Sequence, residues 1–236
     1  MYKNQLPILT SALRRVESAP IQRRSLLKFA GVSLAATALS AFAGRSVFAQ
    51  VASGGIDLGS GDIGVLNYAY ALEQLEAAFY TLVTKNFYGG ASGRERALLS
   101  DIHAHEVAHR EFLKGALGGA AIPKLEFDFS TVNFRDRQSV LTTARTFEDT
   151  GVSAYNGAGQ LLRDPNHLLA AGRIVSVEAR HAATLRDILQ PRSAAFAGDD
   201  IVDSFGLGAV DPPSTVLKTV APFIRTPITA NNLPKP

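Results

Sequence analysis

The chain contains no cysteine. That absence excludes a disulfide framework, a zinc-thiolate site, an iron-sulfur cluster and a cysteine nucleophile, so any bound metal has to be held by oxygen and imidazole. Acidic residues are nearly missing from the first 49 positions, where Glu17 stands against seven basic residues, Lys3, Arg14, Arg15, Arg23, Arg24, Lys28 and Arg45. The whole chain has 24 Lys and Arg against 21 Asp and Glu; with those 49 residues set aside, 24 − 7 = 17 basic and 21 − 1 = 20 acidic groups remain, a net charge of −3. A mildly acidic body lacks the basic face that a phosphate backbone requires, so nucleic acid is not an expected partner. A run long enough to span a bilayer is missing as well: the uncharged stretch 29–44 has about sixteen residues, short of the roughly 20 a spanning helix needs. What is present, 236 residues of which 46% are hydrophobic, suits one sizeable core with appendages.

The N-terminal segment reads as an address. Arg23-Arg24-Ser25-Leu26-Leu27-Lys28 precedes the apolar run, and Val47-Phe48-Ala49 then places small residues at the two cleavage subsites. The pattern resembles a twin-arginine export signal. It implies that residues 1–49 are a signal peptide, that the mature chain begins near Gln50, and that the protein is periplasmic or secreted, without a membrane anchor after cleavage. Such signals are associated with proteins that cross the membrane folded, often with a cofactor already loaded.

Past a linker at 50–60, the helical periods are regular. Asp62 is placed to cap a helix through Leu66, Ala69, Leu72, Leu75, Phe79 and Leu82 that stops at Gly89-Gly90. Ser92, with Glu95 three residues on, has capping-box spacing and opens a second helix through Leu99, Ile102 and Leu113 to Gly115. Residues 118–134, with Pro123 and alternating Leu125, Phe127 and Phe129, read as an extended crossing. Third and fourth helices follow at about 136–162 and 166–189, separated by the Asp164-Pro165 turn. Short, long and short connections predict two helical hairpins joined by one long crossover, an all-α four-helix bundle of ferritin-like topology over 61–190. Residues 191–236 are then a tail whose short helix, about 214–220, packs on the bundle.

Two of these helices repeat a motif. Glu106-Val107-Ala108-His109 and Glu178-Ala179-Arg180-His181 share Glu-x-x-His spacing, which puts carboxylate and imidazole on one helical face. That face also carries Leu99, Ile102 and Leu113 in one helix and Ile174 and Leu185 in the other, so both pairs point into the core. Buried carboxylates without partners are costly, and a cation is the natural partner. A bundle-core dimetal site needs one further glutamate from each remaining helix. Glu73 and Glu148 supply them, each followed seven residues later by a tyrosine, Tyr80 and Tyr155. Glu76, one turn after Glu73, also faces inward and competes with or joins it. His103 and His105 point elsewhere on the second helix and read as surface histidines, and His167 as a bland residue at a helix start.

Through LEQLEAAFY, HEVAH, FEDTGVSAYNGA and VEARHAATLR, the stretch 61–225 resembles the ferritin-like superfamily, and more closely its bacterial desiccation-related branch. The resemblance implies a metal site of Glu73, Glu106, His109, Glu148, Glu178 and His181, with two iron or manganese ions bridged by Glu106 and Glu178. Open coordination positions between two such ions would admit oxygen or peroxide, with iron oxidation or peroxide removal as the expected activity, and association into an oligomer is left open. The alternative is a non-catalytic, stress-protective envelope protein whose metal site is structural or vestigial.

Overall fold

The computed structural model describes residues 55–235. The expected signal peptide, its expected cleavage point and residues 50–54 of the expected linker lie outside the described residues.

Four long helices make the bundle: α1, Gly61–Lys85; α2, Gly93–Leu117; α3, Arg137–Gly159; and α4, Pro165–Leu189. The closest packing is within the sequential pairs α1/α2 and α3/α4, and thinner contacts between α1 and α3 and between α2 and α4 join the hairpins. This is the all-α arrangement with one long crossover. Among the described residues no helix is long and apolar enough to cross a membrane.

The helix starts follow local chemistry. Ser92 and Glu95 close a reciprocal capping box on α2, Asp136 accepts from Ser139 N at the start of α3, and Asp164 accepts from Asn166 N ahead of Pro165 in α4. Each satisfies an amide the first turn leaves free. Asp62 behaves differently from its expected capping role, because Ser60 is the cap residue and makes no side-chain cap bond. Its carboxylate instead accepts from Arg163 N and Asp164 N, both at 2.9 Å, and lies 2.9 Å from His167 Nδ1. It therefore ties the start of α1 to the α3–α4 turn, and His167 belongs to that clamp. α1 also ends at Lys85, before the glycines expected to stop it.

α1 is covered nearly all round, which an outer helix of a simple bundle would not be. The crossover lies along it, with Ile122 and Leu125 buried, and its irregular backbone is held by two amide side chains of α1. Asn67 donates to the carbonyls of Leu58 and Ala120 and accepts from Ile122 N, while Gln74 accepts from Leu125 N at 2.9 Å. Buried polar groups in a non-helical segment need such partners.

The tail completes the core. Ile56–Asp57 (β1) pairs in parallel with Ile228–Thr229 (β2), the helix Pro213–Val220 (α5) buries Val216 and Val220, and Leu233 is buried as well. Its backbone crosses α3 at Gly157, where a Cβ would stand 1.9 Å from Asp211 O, so only glycine admits the crossing. Arg186 on α4 anchors the same region, donating to Asp149 and Asp200.

Candidate metal centre

Helical period decides what points inward. On α2, Leu99, Ile102, Glu106 and Leu113 are buried; on α4, Ile174, Glu178, His181 and Leu185 are buried while Arg173 and Arg180 are exposed. α1 adds Glu73 and α3 adds Glu148. Glu73, Glu106, Glu148 and Glu178 each have 0% exposure and His181 has 4%. All six residues expected at the site meet in the middle of the bundle.

They meet as two overlapping groups of four, Glu73, Glu106, His109 and Glu178, and Glu106, Glu148, Glu178 and His181, whose donor atoms lie within 4.8 Å of one another in each group. Either group could hold a metal ion. Glu106 and Glu178 belong to both, and their individual oxygens show how. Glu106 sets Oε2 3.4 Å from His109 Nδ1 and Oε1 2.8 Å from His181 Nδ1. Glu178 sets Oε1 2.9 Å from His109 Nδ1 and Oε2 3.9 Å from His181 Nδ1. Each shared carboxylate thus presents one oxygen to each half. The unshared ones serve one half apiece: Glu73 Oε2 is 3.5 Å from His109 Nδ1, and Glu148 Oε2 is 3.1 Å from His181 Nδ1. Their other oxygens are fixed by tyrosines, Tyr155 donating to Glu73 Oε1 at 2.5 Å and Tyr80 to Glu148 Oε1 at 2.6 Å.

Several of these close approaches are not hydrogen bonds. Glu73 Oε2, both oxygens of Glu106, both of Glu178, and His109 Nδ1 are buried with no hydrogen-bond partner among the described residues. The ion-pair distances are short, but the atoms lie off the hydrogen-bonding directions. Six unsatisfied polar atoms in one spot would cost about 1–3 kcal/mol each or more if nothing met them. Carboxylate oxygens and imidazole nitrogens so arranged suit a hard or borderline divalent cation.

The electrostatics point the same way. Burial, followed by the neighbouring carboxylates, drives Glu76 and Glu178 well above the ordinary carboxylate range; burial, then Glu106, raises Glu148. Burial also pushes Glu73 up to about 8, against the opposing pull of His109. Glu106 is the exception: burial raises it, but His109 and His181 together bring it down to about 2. The histidines move up despite their burial, His109 to about 12 through Glu106, Glu178 and Glu73, and His181 to about 9 through Glu106 and Glu148.

Glu76 is buried but belongs to neither donor group. Gly151 of α3 leaves space beside it, since a Cβ there would come 3.3 Å from Glu76 Oε1 and 3.5 Å from Glu178 Oε2. His103, expected at the surface, is half-buried against α1, with Thr81 Oγ1 3.0 Å from its Nε2. His105 is exposed, as expected of a surface histidine, yet places Nδ1 2.9 Å from His181 Nε2. No pattern within α2 signals that contact, which depends on where α4 lies.

Residues 61–191, more than half of the chain, match the family described as ferritin-like domain. No curated protein matches the chain. The match spans all four long helices and every residue of the donor cluster, and the chain belongs to the ferritin-like domain family.

Proposed function

We propose that the protein is an exported ferritin-like protein that binds a dinuclear iron or manganese centre and oxidises iron or removes peroxide. The observation that carries this reading is the split of Glu106 and Glu178, each offering one oxygen to the His109 half and one to the His181 half. Two metal ions sharing both carboxylates would supply one electron each to oxygen or peroxide. The chain's own residues hold the geometry: Tyr80 and Tyr155 fix the unshared carboxylates, and the imidazoles of His109 and His181 approach through Nδ1. Supporting export, the twin-arginine-like segment fits a passenger loaded with metal before it crosses the membrane.

The test is elemental analysis of protein purified from its native host, followed by oxygen- and peroxide-dependent turnover of the iron- and manganese-loaded forms. Two ions per chain with turnover supports the reading; protein that stays metal-free after refolding with either metal overturns it.

One observation favours a second reading, a protective envelope protein with a structural metal. The four shared and unshared carboxylates have no exposed surface, and a fully enclosed cation stabilises a fold whether or not it turns over. In that case metal raises the melting temperature without supporting activity.

A further inference from the structure

His181 uses both ring nitrogens. Nδ1 faces the donor cluster, 2.8 Å from Glu106 Oε1 and 3.1 Å from Glu148 Oε2. Nε2 lies 2.9 Å from Nδ1 of His105, which reaches across from α2. The two rings are within 8° of parallel and their centroids are 5.2 Å apart. That separation exceeds the N···N distance by about two ring radii, so the rings meet edge to edge in nearly one plane rather than face to face. The geometry is that of a well-aligned hydrogen bond.

A neutral imidazole carries one proton, and a nitrogen that binds a metal cannot be the one that holds it. For His181 Nδ1 to act as a ligand, Nε2 must carry the hydrogen and needs an acceptor. His105 Nδ1 is in place to be that acceptor, with its own proton on Nε2. Partners of this kind fix the tautomer and orientation of ligand histidines, and losing one costs about 10–100-fold in metal affinity.

The two halves of the centre differ in this respect. His105 precedes His109 by four residues in α2; the residue four before His181 in α4 is Val177, which has no acceptor to offer. The approximate repeat that supplies both Glu-x-x-His pairs is broken at this position.

We propose that His105 is a positioning residue, selecting the tautomer of His181 whose Nδ1 is free to bind a metal ion and thereby making the two metal positions unequal. This rests on the dinuclear reading above. The test is calorimetric titration of the full-length protein with zinc, a diamagnetic probe, in wild type, His105→Val and His105→Asn, with nitrogen-15 spectra of the zinc-loaded histidines. Wild type should bind two ions, and its spectrum should show coupling across the hydrogen bond between His181 Nε2 and His105 Nδ1. His105→Val should weaken one binding step by about 10–100-fold and leave the other unchanged. His105→Asn, whose amide oxygen can accept, should recover much of the lost affinity. Two steps of unchanged affinity in His105→Val, or a proton found on His105 Nδ1, would overturn the proposal while leaving the dinuclear reading intact. Failure of the wild type to take two ions would overturn both.

Discussion

Tyr80 of α1 donates a 2.6 Å hydrogen bond to Glu148 of α3, across the bundle rather than along its own helix. Tyr155 of α3 returns the arrangement to Glu73 of α1. Each hairpin therefore fixes a carboxylate of the other, which leaves one oxygen of that carboxylate pinned and the second aimed at a histidine. Replacing either tyrosine by phenylalanine removes a bond to a buried acceptor and should cost about 1–3 kcal/mol in stability. Tyr80→Phe is expected to weaken binding in the His181 half and Tyr155→Phe in the His109 half. Denaturant melts with metal titrations of both variants check this; equal loss in both halves from either change would contradict the assignment.

The pH dependence has a definite sign. Glu73 sits at about 8 in the folded protein against an ordinary 4.5, and His181 at about 9 against 6.5. Between these limits the folded state binds protons that the unfolded chain has released, so stability falls as pH rises. The His181 contribution is fully present below about 6.5 and is lost as pH rises through about 9. Glu106, brought down to about 2, acts oppositely: its contribution is present above about 4.5 and disappears as pH falls toward 2. The metal-free protein should be most stable near pH 4.5, where Glu106 is ionised and Glu73 has not yet begun to lose its proton, and melt progressively lower from there to pH 9. Divalent metal should reverse the trend, because binding displaces those protons and strengthens as pH rises. Melting curves with and without manganese across this range provide the check; a metal-induced shift that shrinks with rising pH would refute it.

Asp62 offers a structural control. Its carboxylate accepts from two backbone amides of the α3–α4 turn and pairs with His167, eleven residues before Glu73 on α1 and outside both donor groups. Asp62→Ala should lower stability by about 1–2 kcal/mol through the loss of these bonds without changing the number of metal ions bound. Loss of metal from a variant that remains folded would show the clamp to be part of the site.

Much of this architecture is legible in the residues. The Glu-x-x-His pairs and the Glu-x6-Tyr pairs stand out because a helix returns to the same face every three or four positions, and a shared face suffices to place Glu73, Glu106, Glu148 and Glu178 in the core. What period cannot show is which neighbour a side chain meets. The seven-residue spacing puts Tyr80 and Tyr155 on the faces of Glu73 and Glu148, but nothing in it marks either as a donor to the opposite hairpin. Asp62 has the look of a cap and serves a turn about a hundred residues away. His105 lies off the inward face of α2 and finds its partner only because α4 passes beside it. Asn67 and Gln74 carry no signal of their own, since their role depends on an irregular segment that happens to need amides.

On the proposed export, Arg23→Lys combined with Arg24→Lys should leave a longer precursor in the cytoplasm, and N-terminal sequencing of any wild-type protein recovered from the periplasm should give a start near Gln50. A mature protein beginning at Met1 would refute the reading of residues 1–49 as an address.

The central claim is that Glu106 and Glu178 are shared by two metal ions. It is tested most directly by anomalous diffraction from crystals of the manganese-loaded protein, collected beside the Glu178→Ala variant. Two peaks about 3.5–4 Å apart, one on the His109 side and one on the His181 side of the shared carboxylates, with both gone in the variant, is the result the account predicts. A single peak, peaks away from these residues, or full occupancy in Glu178→Ala would contradict it.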